Sequence, residues 1–173
     1  MDFSTEFVAL RDRMRDGQGN DFVCRANAEV AGRTAALLSS FDVCTERKLL
    51  GIMPTGGTSR AHEYRLLFGV PVLDAPALDD WWRYAIEAER ALVRPDASHS
   101  FSLISLLLAA GEVDRAAQKK LKKLEAERQF AGGQQGWSAI RAAAVELGSG
   151  AIYVNRMGQP LKSILRPFLS KNS

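Results

Sequence analysis

The chain has 173 residues, 46% of them hydrophobic and 25% charged, with a formal charge of +3 and an isoelectric point near 9.0. That composition excludes a disordered chain and is enough for a single domain, residues 1–173, with a full core. The small basic excess admits an anionic partner without requiring one.

Cys24 and Cys44 are the only cysteines and belong to no CxxC or Cys/His cluster, so two inert, buried thiols in a reducing compartment are expected. The N-terminus, "MDFSTEFVALRDRMRDG", carries charges throughout and is unlike a signal peptide. The longest apolar run, Phe101 to Gly111, falls short of the ~20 residues that span a bilayer. No membrane insertion and a cytoplasmic location follow as expectations.

Phe3, Phe7, Leu10 and Met14 recur at helical spacing, with Gly17 as the stop. A second helix is expected from Ala26 to Phe41, with Val30, Thr34, Leu37, Leu38 and Phe41 on one stripe. "LLGIM" suits a buried strand, "RAHEYRLLFG" a helix closed by Gly69, and "VPVL" a short strand. "WWRYAIEAERALV" follows as a helix behind Asp79 and Asp80. "FSLISLLLAAG" is apolar on nearly all sides and predicts a central core helix. "EVDRAAQKKLKKLEAERQF" reads as a charged amphipathic helix, and Trp137, Ile140, Ala144 and Leu147 mark another. "AIYV" is a strand and "QPLKSILRPFL" a closing helix. The expected fold class is therefore mixed α/β and helix-rich, with residues 1–95 as a core and 96–173 as a helical extension packed on it.

One stretch looks built around a ligand: Thr55-Gly56-Gly57-Thr58-Ser59-Arg60, between an apolar run and a helical pattern. Glycines there would let the backbone approach an anion, and a helix's first N–H groups would bind it. Thr58 and Ser59 add hydroxyls and Arg60 a guanidinium fork. The alternative is an ordinary strand-to-helix turn capped by Thr58 or Ser59.

"GGTSRAHEYRLLFGVPVL" resembles the signature of the ParB/sulfiredoxin superfamily, in which a strand runs into G-x-x-R or GGCHR, then a helix, a glycine and a short strand. Gly56, Gly57 and Arg60 fall on its glycines and arginine, and Ala61–Phe68 on its helix. Thr58 stands where sulfiredoxin has its cysteine and Ser59 where the family has histidine, so sulfinic-acid reduction is not expected. In scale the chain is similar to the Osa-type plasmid fertility-inhibition factors of that superfamily. The resemblance implies interference with conjugative DNA transfer at a type IV secretion coupling protein. It also implies nucleotide hydrolysis or DNase activity, with a nucleoside triphosphate and Mg2+ as the group held at Gly56, Gly57, Thr58, Ser59 and Arg60.

Other constellations are less pointed. His62, on the helix expected after the turn, is a candidate general acid/base beside a bound phosphate, or a surface histidine. Arg115, Lys119, Lys120, Lys122 and Lys123 form a basic face able to contact DNA, or a solvated face. Trp81 and Trp82 cannot share one stripe, so one of them is a candidate partner anchor. Asp79 and Asp80 alone do not complete a metal cage. Besides a phosphate-binding accessory, an interaction module with a structural glycine turn and a DNA-binding regulator remain open.

Overall fold

The computed structural model describes residues 2–49 and 53–169. Four helices, α1 (Phe3–Gly17), α2 (Ala75–Leu92), α3 (Arg115–Leu121) and α4 (Gln159–Leu169), surround one sheet. Its strands are β1 (Val23–Val30), β2 (Arg33–Leu49), β3 (Met53–Leu73), β4 (His99–Val113), β5 (Glu127–Gln129), β6 (Trp137–Glu146) and β7 (Ala151–Val154).

The order is β1-β2-β3-β4-β6-β5, with β7 also on β6. β1, β2 and β3 form an antiparallel meander. β3, β4 and β6 run parallel, which requires long crossovers; α2 and α3 lie in them. β5 and β7 pair antiparallel with opposite ends of β6.

Helices cover both faces of the middle of the sheet. Against α2 and α3 pack Leu66, Phe68, Ile104, Leu106, Leu108, Ile140 and Ala144. Against α1 and α4 pack Leu37, Leu67, Leu107, Ala109, Ala143 and Val145, with Leu10, Met14, Leu161 and Leu165 from the helices. A strand buried on both faces has no polar side, which is why β4 reads as one apolar run.

That run is the largest correction to the expected fold. The chain is strand-dominated rather than helix-rich. Phe101–Gly111 lies in β4, not in a core helix, and the segment from Trp137 to Leu147 is mostly β6. The expected helix from Ala26 to Phe41 is the β1–β2 hairpin, turned at Ala31 (φ 49°) and Gly32 (φ 81°). Ala61–Phe68 is the middle of β3. Residues 96–173 therefore supply strands to the central sheet rather than a helical extension, and β3 joins β4 directly across the expected division at residue 95. The expected strand "LLGIM" lies partly outside the described residues.

Candidate functional site

The sheet is longer than the helices that cover it. On the α1/α4 face the registers stack side chains from four strands into rows. Leu37, Leu67, Leu107 and Ala143 form the last row under the helices. Two residues further along, Ser39, Arg65, Ser105 and Arg141 face the same way, because strand side chains alternate. The next row is Phe41, Glu63, Leu103 and Ala139; the one after is Val43, Ala61, Phe101 and Trp137. The four strands are separated by three intervals of about 4.8 Å, so each row is roughly 14 Å wide.

These rows change character outward from the core. Arg65 is buried, and its Nε donates to Glu63 Oε1 at 2.9 Å and its Nη1 to Gln18 Oε1 at 2.9 Å. The Arg65 guanidinium also stacks 4.2 Å from the Phe22 ring, which itself stacks on Phe41. Gln18 Nε2 donates to Ser39 Oγ at 2.6 Å. Arg65 and Glu63 thus satisfy each other, and the end of α1 locks them in place.

Arg141 is treated differently. Its Nε is buried without a hydrogen-bond partner, as is the Oγ of its cross-strand neighbour Ser105. Burial pushes the Arg141 guanidinium pKa down, opposed by Glu63 and reinforced by Arg65. Among the described residues no carboxylate forms an ion pair with it. Above it opens a cleft of about 230 Å³ lined by Phe41, Val43, Ala61, Glu63, Phe101, Leu103 and Arg141, with the β3 chain at His62. Phe101 stacks on Trp137 at 5.3 Å. The arrangement is an apolar, aromatic floor with one uncompensated cation at its inner end.

Beyond this cleft β2 and β3 continue alone. β1 stops with Val23 opposite Ser40, and β4 begins with His99 opposite Arg60. From there the two strands form a ribbon, paired to Leu49 and Met53.

The residues singled out from sequence are scattered. Gly56 and Gly57 lie within β3; Thr58, Ser59 and Arg60 sit opposite Glu46, Thr45 and Cys44 on β2. No helix starts at Arg60, so the aligned N–H groups on which the phosphate cradle depended are not there; the Arg60 N–H donates to Ser98 O at 2.8 Å. The glycine turn is corrected to a stretch of strand. His62 is likewise on a strand, with Nδ1 2.5 Å from Asp42 Oδ1 and its ring 6.1 Å from that of His99. Asp42 is an orienting acid that only the cross-strand register reveals. His99 opens β4 and is buried. Its Nδ1 meets the Gln135 carbonyl at 2.6 Å, and a carbonyl only accepts, so in the neutral ring Nε2 accepts from Ser102 Oγ at 2.8 Å.

Trp81 packs on Phe68, with ring centroids 4.6 Å apart, under the Arg33 guanidinium at 4.3 Å. Trp82 is half-buried against the same core. Lys119 and Lys120 are on α3, with Arg115 at its start and Lys122 and Lys123 just beyond. Lys120 pairs with Asp79, which ties α3 to α2; the other four are exposed. Cys24 is half-buried, but Cys44 is exposed on β2, against the expectation of two buried thiols. Among the described residues no His, Cys, Asp and Glu cluster has the makings of a metal site, and no helix is long and apolar enough to cross a membrane.

Sequence reasoning missed Phe41, Glu63, Arg65, Phe101 and Arg141 as a group. A signal existed: Arg141 is the one charge inside "AIRAAAV", where an ordinary buried segment carries none.

The family model described as "Domain of unknown function (DUF8052)" matches residues 10–167, and the chain belongs to that family. No curated protein and no solved structure matches it.

Proposed function

We propose that the protein is an interaction module that receives a polypeptide segment across the uncovered part of its α1/α4 face. One observation carries this reading: among the described residues the sheet outruns its helices, leaving Phe41, Val43, Ala61 and Phe101 partly exposed beside Arg141, around the buried Leu103. Small ligands are usually held in concave pockets of about 300–1,000 Å³ that enclose most of their surface. A smaller, open cleft on a face roughly 14 Å wide suits a segment lying across strands better than an enclosed metabolite. Rigid aromatic anchors around a desolvated charge are also what protein-binding hot spots are made of.

The sequence resemblance implied fertility inhibition through phosphate chemistry. With Gly56–Arg60 in a strand, the helix-terminus argument for a nucleotide site has lost its basis, and only the docking half of that role is carried forward here. A conjugation coupling protein is one partner for such docking.

The reading is tested by selecting peptides from a random twelve-residue library on the intact protein. Amide exchange then maps where enriched peptides bind. Protection centred on Phe41, Phe101 and Leu103, with affinity falling at least tenfold in Phe101→Glu and holding in Trp82→Ala, supports it. Enriched peptides that protect α2 around Trp81 and Trp82 instead would move the interface there and overturn it.

A further inference from the structure

We propose that the Arg141 cleft is a carboxylate site, taking the free C-terminal carboxylate of a polypeptide that ends in an apolar residue. This rests on the polypeptide-docking reading and names the chemistry that anchors it. Three observations converge. Of the two arginines on this face, Arg65 is neutralised by Glu63 at 2.9 Å, whereas Arg141 has no ion-pair partner among the described residues. The positive charge next to the cleft therefore exceeds the negative by one. Arg141 Nε and Ser105 Oγ, neighbours across the β4–β6 ladder, are both buried and unpartnered. Leaving such groups unmet costs stability, and Arg141, unlike the fully buried Ser105, also lines the cleft, where a ligand can meet its guanidinium.

The third observation is spacing. Leu103 and Phe101 project one and two rows outward, respectively, from the Arg141–Ser105 row on the same face. A carboxylate on the guanidinium thus leaves its adjoining side chain over an aromatic and aliphatic floor. Guanidinium forks bind carboxylates with two parallel hydrogen bonds, and partial desolvation strengthens them. A chain end carries the carboxylate and an apolar side chain on the same Cα. An acidic side chain within a segment added along β2 would be about 19 Å from β6, beyond its reach.

Calorimetric titration of the intact protein compares the peptide Gly-Ser-Gly-Leu-Phe as free acid and as C-terminal amide. A second pair is 3-phenylpropionate and its amide. The acid peptide is expected to bind at least about tenfold tighter than its amide, as loss of a charge-assisted pair implies. That preference should vanish in Arg141→Met. If Arg141→Met unfolds, as circular dichroism would show, the acid-versus-amide comparison on the parent chain still decides.

Equal affinity of acid and amide peptides overturns the carboxylate site, even where both bind the face and the docking reading survives. Carboxylate preference that persists in a folded Arg141→Met overturns the residue assignment. If 3-phenylpropionate binds with Arg141-dependent preference while no peptide does, the polypeptide source is overturned, and the docking reading fails with it.

Discussion

Tyr84 reaches across from α2 to donate its hydroxyl to the Val30 carbonyl at 3.0 Å, deep in the α2/α3 core. Burial pushes its pKa up to about 12, only partly opposed by Arg33, whose guanidinium lies 5.1 Å over the ring. An unfolded tyrosine ionises near 10, so above that pH the unfolded chain sheds a proton that the fold retains. Stability contributed by Tyr84 is thus full below pH 10 and falls as pH rises toward 12, by at most about 1.4 kcal/mol per pH unit. Tyr84→Phe should cost about 1–2 kcal/mol at pH 8, where the Val30 carbonyl loses its partner. Yet the variant should lose less than the parent between pH 10 and 12. Urea unfolding at several pH values checks this, and parallel slopes for the two proteins would refute the assignment. Glu63 and Arg65 show why such residue-level facts escape a linear reading. Spaced by two, they face the same way only once the segment is known to be a strand.

Among elements, the legible helices were those whose periodicity had a polar side to compare with. α1, α4 and β7 appear where the sequence placed them, whereas α2 begins at Ala75, well ahead of Trp81, with Asp79 and Asp80 inside it. β4 and β6 were not legible, because both faces of each are buried, and an apolar run of that kind fits a helix or a strand equally. Alanine-rich β6 carries strong helix propensity, and tertiary packing overrides it. Its backbone is closely approached from the side: a Cβ on Gly158 would sit 2.7 Å from the Ala142 carbonyl, so the turn into α4 lies directly on the strand. Asn155, fully buried at the end of β7, fixes this junction. Its Oδ1 accepts the Ala142 N–H at 2.9 Å, and its Nδ2 donates to the Leu124 and Ile140 carbonyls at 3.1 Å. Three backbone groups, two of them in buried bonds, share this one side chain. Asn155→Ala should therefore destabilise by about 3 kcal/mol or more, measured by chemical denaturation. A loss below about 1 kcal/mol would mean that the junction is held by packing alone. The candidate site was illegible for a related reason, since its residues come from β2, β3, β4 and β6 and meet only through register.

At the scale of the whole molecule, stability and recognition occupy different lengths of the same strands. Among the described residues, the buried hydrophobic core has no member between Leu38 and Leu66. The described part of the β2–β3 ribbon beyond Cys44 and Arg60 thus adds no member to that core. Its Thr45–Ser59 pair continues the open face by one more row, past Val43 and Ala61. Cys44 and Arg60 lie directly opposite each other, so an Asn-Gly turn can join them in place of residues 45–59. That shortened chain should keep its stability to within about 1 kcal/mol, since among the described residues no buried apolar side chain is removed. It should also keep the carboxylate preference for Gly-Ser-Gly-Leu-Phe, because the Arg141 cleft ends at the Val43–Ala61 row. Twelve-residue peptides selected on the full protein reach further, and should bind the shortened chain at least tenfold more weakly. Thermal unfolding and calorimetry on the one variant separate these outcomes. A stability loss above about 3 kcal/mol would make the ribbon part of the cooperative core, whereas undiminished affinity for the long peptides would confine recognition to the cleft.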